Sequence, residues 1–314
     1  MRAVRIHAHG GPEALAVDEL PVPRPGPGEL LIRTAVAGVG RPDVRLTRAA
    51  HVTLPHAPGG DVAGRVEAVG HGVSGWEVGD RVVALAFGGA YAEFVTVPAA
   101  FAAPVPDGVD DEAAVVLVRC GQVALGVLRA ARLEAGESVL VTAAAGGVGH
   151  LAVQLARVLG ASRVVAAIGV SVPAKAEALR SVGADEVVTY ADLAADGVEP
   201  VDVVADGTGG DVQAAALAAL APFGRLVAFS ATTPRVDVDQ LRLNARIVIG
   251  FAMAHYAGGR PEVYARHRAE LWELYRDGRL RPLVDSVRPL EKAGDAHRAL
   301  ESRENIGRVL LRVS

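Results

Sequence analysis

Two rhythms of apolar residues divide the chain. Up to about residue 115, short runs rich in Val, Leu and Ile (30–36, 62–69, 81–85 and 91–97) alternate with Gly and Pro turns, the punctuation of an all-β unit. The proline-rich stretch 21–28 reads as a stiff connection between two strands. From Glu112 onward, strands alternate with helical stretches. Residues 113–133 are mostly helical, 138–142 form a buried strand, and 150–159 a helix ending at Gly160. Further strands are predicted at 162–168, 186–190, 201–205, 224–230 and 245–251, with helices at 173–182, 211–220 and 262–277. Strands that are apolar throughout and alternate with helices imply an α/β fold with a doubly wound parallel sheet covered on both faces. The strand at 245–251 is expected at the sheet edge. The closing strand, 307–313, is expected to return to the N-terminal β unit.

Between the strand at 138–142 and the helix at 150–159 stand Ala143, Ala144, Ala145, Gly146, Gly147, Val148 and Gly149. Strand, glycine-rich turn and helix form the context in which backbone N–H groups and a helix dipole hold a dinucleotide pyrophosphate. Read as G-x-G-x-x-G, the motif has an alanine, Ala144, in place of its first glycine. The competing reading is a tight turn with no ligand.

Size and composition narrow the function classes. The chain has 314 residues, 51% of them hydrophobic and 22% charged, which is a globular composition with room for two domains. A net charge of −4 without a basic stripe argues against nucleic acid or an acidic membrane surface as partner. The first residues lack an apolar signal core, and Cys120 is the sole cysteine, so a cytoplasmic location is expected.

The order of motifs resembles the medium-chain dehydrogenase/reductase superfamily, in its zinc-independent quinone oxidoreductase (zeta-crystallin-like) branch. The residues that carry the resemblance are Gly59, Gly60, Asp61, Val62, Ala63 and Gly64; Gly79, Asp80, Arg81 and Val82; the turn 143–149; Gly183, Ala184 and Asp185; and the stretch from His297 to Arg303. The resemblance implies a GroES-like β-barrel catalytic domain split around a Rossmann domain. The expected boundaries are 1–121 for the first catalytic part, 122–253 for the NADP-binding domain and 254–314 for the return. It also implies a small-molecule substrate.

Zinc-dependent relatives place a cysteine and a His-Glu pair in the segments that here read Val39, Gly40, Arg41, Pro42, Asp43 and Gly59, Gly60, Asp61. These residues lack the soft donors zinc needs, and His51 and His56 stand without matching ligands. No metal is expected, and reduction of an activated acceptor is the natural chemistry.

The second strand of the parallel sheet ends at Ile168, Gly169, Val170 and Ser171, with no acid to bind an adenosine ribose. Lys175 follows at the start of the next helix, where a cation and the helix dipole favour a phosphate. Relatives use a lysine, a tyrosine and a C-terminal arginine around the 2′-phosphate, matched here by Lys175, Tyr190 and Arg303. NADPH is therefore the expected cofactor. The set expected to contact it is Ala145, Gly146, Gly147, Val148, Gly149, Ser171, Lys175, Tyr190, Asp206, Gly207, Phe229, Ser230, Phe251, Met253 and Arg303, with Ser230 and Phe251 flanking the nicotinamide.

On the substrate side, the branch offers an asparagine and a tyrosine where this chain has Gly40 and Arg45; Asp43 matches the branch. Arg41, Asp43 and Arg45 are the candidate substrate-binding residues, the arginines as electrophilic clamps on a carbonyl or carboxylate oxygen. No general acid is identified. Three functions stay open: an NADPH-dependent quinone or enone reductase, a specialised biosynthetic enoyl reductase or redox-neutral cyclase on the same fold, and a non-catalytic NADPH-binding protein. The apolar edge strand points to a homodimer.

Overall fold

The computed structural model describes residues 1–313 apart from Ser171, Asp196 and 230–235. The chain forms two compact units, one of Met1–Arg119 with Pro282–Ser314, the other of Cys120–Arg281. In chain order the elements are β1 (Arg2–Ile6), β2 (Leu15–Glu19), β3 (Glu29–Val39), α1 (Arg41–Leu46), β4 (Asp61–Val69), β5 (Arg81–Leu85), β6 (Phe94–Pro98), β7 (Ala102–Pro104) and α2 (Asp111–Val116) in the first unit. The second unit runs α3 (Gln122–Ala130), β8 (Ser138–Val141), α4 (Gly149–Val158), β9 (Arg163–Ile168), α5 (Pro173–Ser181), β10 (Glu186–Thr189), α6 (Tyr190–Ala194), β11 (Val201–Asp206), α7 (Gly210–Ala218) and β12 (Leu220–Ala228). It continues through α8 (Val238–Leu243), β13 (Ile247–Gly250), α9 (Met253–Gly259) and α10 (Pro261–Arg276). The return to the first unit supplies β14 (Val284–Pro289), α11 (Ala293–Glu301) and β15 (Arg308–Arg312).

The first unit is the β-rich one the Gly/Pro punctuation predicts. Its main sheet has the order β14-β15-β3-β4-β5-β7, with β6 also pairing on β3. β15 does return to this sheet, antiparallel to β3, with Val309 opposite Val39 and Leu311 opposite Ala37. Alternate residues of these strands face one core, including Leu30, Ile32, Val62, Val82, Val309 and Leu311, closed on one side by Leu290, Ala293 and Ala296.

The second unit has six parallel strands in the order β10-β9-β8-β11-β12-β13. Numbered from β8, this is the doubly wound order 3-2-1-4-5-6, whose switch point lies between β8 and β11. Val139, Leu140 and Val141, Val164 to Ala167, and Val203 to Ala205 are fully buried, because helices cover both faces. β13 forms one edge, as expected.

Three boundaries differ from the sequence reading. The second unit ends at Arg281 rather than Met253, because α9 and α10 stay with it. Gln122 Nε2 on α3 donates to Tyr264 O on α10 (2.9 Å), and Gln154 exchanges two hydrogen bonds with the Arg281 backbone (2.8 and 2.9 Å). The helix predicted at 113–133 is broken by a π-helical stretch, Leu117–Gly121, between α2 and α3. β12 begins at Leu220, earlier than the Gly224 expected from the apolar run.

Candidate functional site

In the second unit the chemistry begins at the corner after β8. Ala143 takes a left-handed φ of 50°. Gly146 N donates to Ala143 O (2.9 Å) and His150 N donates to Gly146 O (3.2 Å), so the chain reverses in one turn and runs into α4. A Cβ on Gly149 would lie 2.3 Å from Ala143 O and 2.6 Å from the Ala144 Cα, so only glycine lets the corner close. In the first turn of α4, His150 N is taken by Gly146 O and Ala152 N by Val148 O, so the positive end of the helix dipole and the glycine backbone ahead of it are what the corner offers an anion. Gly146, Gly147 and Val148 are partly exposed at its mouth, with Ala145 and Gly149 buried beneath. His150 is buried; its Nδ1–H donates to Gly146 O (2.9 Å), and burial pushes its pKa down to about 4. The residues present therefore fit a dinucleotide pyrophosphate.

A line of hydroxyls braces this corner from behind. Thr142 Oγ1 donates to Asp206 Oδ1 (2.7 Å) and accepts from Gly207 N (3.0 Å). Thr208 Oγ1 donates to Thr142 Oγ1 (3.1 Å), and the Tyr190 hydroxyl, 3.1 Å from Thr208 Oγ1, accepts from Ala143 N (3.1 Å). Asp206 is fully buried and also accepts from the backbone N–H groups of Thr208 and Gly209 (3.1 and 3.2 Å). The Asp206 carboxylate thus points inward and organises the loop after β11. Tyr190 is not the strand residue expected; it opens α6, capped by Thr189.

Lys175 lies in the first turn of α5 and is 7% exposed. β9 ends at Ile168 ahead of exposed Gly169 and Val170, with no carboxylate there. Ser171 and Ser230 fall outside the described residues. Around the other strand ends, a Cβ on Gly207 would lie 2.7 Å from the Phe229 ring, and one on Gly126 of α3 would lie 2.6 Å from the Phe251 ring. Both aromatic rings thus rest directly on glycine backbone. Phe251 also meets Tyr256 at 5.2 Å between centroids, and Met253 starts α9. Arg303 belongs to the first unit, in a left-handed turn (φ 58°) just beyond α11.

In the first unit, Asp43 caps α1 from within. Its Oδ2 accepts from Gly40 N (2.8 Å) and its Oδ1 from Gly59 N (3.1 Å), tying the loop before α1 to the loop before β4. Asp43 is 7% exposed. Burial raises its pKa and Asp61 adds to that, while Arg119 and Arg308 pull it down. A carboxylate so engaged positions the loop that carries Arg41 and Arg45. Arg41 is exposed and its Nη1 donates to Leu300 O (3.2 Å); Arg45 is exposed on the same short helix.

Asp61, fully buried at the start of β4, accepts from Arg308 Nη2 at both oxygens (2.9 Å each) and lies 3.5 Å from Arg119 Nε. Nearby, the buried Tyr91 hydroxyl is 3.2 Å from His297 Nε2, and burial pushes the His297 pKa down to about 4. Neither this ion-pair cluster nor the hydroxyl line was singled out from the sequence. Each joins residues far apart in the chain: Asp61 and His297 enter the sequence reading only as parts of longer motifs, and Tyr190 and Asp206 only as cofactor candidates.

These residues do not fit zinc. Glycines occupy positions 40 and 60, Asp61 is committed to two guanidinium groups, and among the described residues no three His, Cys, Asp or Glu side chains converge on a point.

Comparison with known proteins agrees with this architecture. Residues 26–107 match the family described as alcohol dehydrogenase GroES-like domain, and residues 182–311 match the one described as zinc-binding dehydrogenase. The chain is 34% identical to a quinone oxidoreductase of Pseudomonas aeruginosa over 99% of both proteins. It is 32% identical to the human synaptic vesicle membrane protein VAT-1 homolog, over 99% of this chain and 86% of that one. A mycobacterial protein solved in complex with NADPH superposes with a TM-score of 0.92 at 35% identity, each chain covered in full. The chain belongs to the quinone oxidoreductase/VAT-1 branch, zinc-independent, of the medium-chain dehydrogenase/reductase superfamily.

Proposed function

We propose that this protein is an NADPH-dependent, zinc-independent oxidoreductase that reduces a quinone or α,β-unsaturated carbonyl by direct hydride transfer. The observation that carries the reading is the corner 143–149, closed by Gly149, together with Lys175 in the first turn of the helix after an acid-free strand end. A mycobacterial relative of the same fold was solved with NADPH. NADPH, when bound, supplies two electrons as a hydride; a proton from solvent completes the reduced acceptor. The chain's own residues bind and orient. The corner 143–149 and the N-terminus of α4 would hold the pyrophosphate, Lys175 would pair with the 2′-phosphate, and Phe251 would flank the nicotinamide.

NADPH oxidation against a panel of naphthoquinones and enones tests the reading. Turnover with at least one acceptor, and a lower KM for NADPH than for NADH, is expected. NADPH binding without turnover of any acceptor would instead favour a non-catalytic dinucleotide-binding protein.

One observation favours a second reading, a specialised biosynthetic reduction or redox-neutral cyclisation. Gly40 and exposed Arg45 replace the asparagine and tyrosine of the branch, which puts a cation on α1 for a carbonyl or carboxylate oxygen. An acceptor that is transformed without net NADPH consumption would identify it.

The reading extends to a cytoplasmic homodimer. β13 is an unpaired edge of a parallel sheet carrying half-exposed Ile247, a strand suited to pair across a two-fold axis. The helical run Asp111–Ala130 is long and apolar enough to cross a membrane, but 83% of its apolar window is buried, as in a core helix. Light scattering at twice the 32.3 kDa chain mass, from protein extracted without detergent, is the expected outcome.

A further inference from the structure

We propose that Tyr190 is a positioning residue for the pyrophosphate-binding corner and does not discriminate the 2′-phosphate. The inference rests on the dinucleotide reading above and departs from the role that resemblance assigns to this tyrosine.

Ala143 is the strained point of the corner. It holds a left-handed φ of 50° without being glycine, and its carbonyl takes the Gly146 N–H (2.9 Å) that closes the turn. A non-glycine residue keeps such a conformation only when its surroundings over-determine it. The Ala143 N–H donates to the Tyr190 hydroxyl (3.1 Å) and the next amide, Ala144 N, donates to Ala167 O (3.2 Å).

The Tyr190 hydroxyl is itself fixed. Its proton goes to Thr208 Oγ1 (3.1 Å), whose proton goes to Thr142 Oγ1 (3.1 Å), whose proton goes to the buried carboxylate of Asp206 (2.7 Å). The Asp206 carboxylate takes the Thr142 proton and also accepts from the Thr208 and Gly209 N–H groups, so the line runs in one sense, and the Tyr190 oxygen accepts from Ala143 N. The tyrosine ring lies beside Gly169, where a Cβ would be 3.6 Å from it. In this arrangement the hydroxyl is used within the fold, and β8, β11 and α6 are coupled to the corner that receives the pyrophosphate.

Three ligands separate this role from a direct 2′-phosphate contact: NADPH, NADH and adenosine 2′-monophosphate, which carries the 2′-phosphate but no pyrophosphate. Dissociation constants come from nicotinamide fluorescence for the first two and from competition for the third. Tyr190→Phe is expected to weaken NADPH and NADH by the same factor, about 3- to 10-fold for one lost hydrogen bond, and to leave the monophosphate unchanged. Hydrogen exchange of the Ala143 amide should quicken in the same variant. Thr208→Val, which removes the oriented acceptor, should reproduce the pattern more weakly, and Lys175→Ala should weaken NADPH and the monophosphate alone. Loss of NADPH or monophosphate affinity with NADH unaffected in Tyr190→Phe would overturn the proposal, as would no change in any ligand or equal loss of all three. Failure of the unmodified protein to bind either dinucleotide would instead sink the cofactor reading on which the proposal stands.

Discussion

Arg308 Nη2 lies 2.9 Å from each carboxylate oxygen of Asp61 and reaches them across the bare backbone of Gly38. A Cβ on Gly38 would stand 2.0 Å from Asp61 Oδ2 and 2.6 Å from Arg308 Nη2, so glycine on β3 is the condition for an ion pair between β4 and β15. The pair lies beside Asp43, which holds the loop that begins α1.

Breaking this pair strands a buried carboxylate. Arg308→Met is expected to cost about 3–5 kcal/mol, toward the lower value because Arg119 still faces Asp61. Asp61→Asn with Arg308→Met should lose less than the two single changes summed, since the buried Asp61 carboxylate is no longer left without Arg308. Urea unfolding of the three variants measures both effects.

Gly149→Ala should abolish dinucleotide binding, since its Cβ would lie 2.3 Å from Ala143 O. Pushing the corner open costs about 1–3 kcal/mol in stability. Fluorescence titration with NADPH and a thermal melt read the two consequences separately.

Stability should fall as pH drops from about 6.5 toward 4. Burial depresses the folded-state pKa of His150 and His297 to about 4, below the unfolded value. The unfolded chain therefore binds more protons across that window, and the stabilisation present above pH 6.5 is lost as each group is forced to charge. Each contributes on the order of 3 kcal/mol across the full window. Denaturation midpoints at pH 7.5, 6 and 5, with imidazole NMR titration of the two rings, check both the slope and its source.

Lys175→Ala should raise KM for NADPH about 10- to 100-fold and leave NADH unchanged, the loss of one charge-assisted contact. Comparing kcat/KM for the two coenzymes on one acceptor measures it.

Arg45→Ala should leave the melting temperature and NADPH affinity unchanged, because Arg45 is exposed on α1. If the guanidinium clamps an acceptor oxygen, kcat/KM for that acceptor falls about 10- to 100-fold. An unchanged value for every reducible acceptor would return Arg45 to the solvated surface.

What could be read in advance followed the range of the interactions involved. The alternation of apolar strands with helices after Glu112, the turn 143–149 and the edge position of β13 are local patterns, and all appear as expected. The helices α9 and α10 belong to the second unit, which the sequence does not show because α10 is an amphipathic surface helix that could cover either unit. That is settled by Gln122 on α3 meeting Tyr264. Asp206 and Asp43 were recognisable as polar residues at strand and loop ends. Their direction was not, because it depends on donors supplied by Thr142, Gly209, Gly40 and Gly59 from elsewhere in the chain.

Residue order alone determined that a parallel sheet would carry a glycine-closed corner, that no acid would follow β9, and that soft metal donors would be missing. Those are properties of neighbours in sequence, where backbone sterics and residue type suffice. Only the folded molecule decided that Tyr190 would spend its hydroxyl on Ala143, that Asp206 would anchor the line behind it, and that Asp61 would meet Arg308 over Gly38. Such contacts join segments tens to hundreds of residues apart, and burial makes each partner depend on the others being in place.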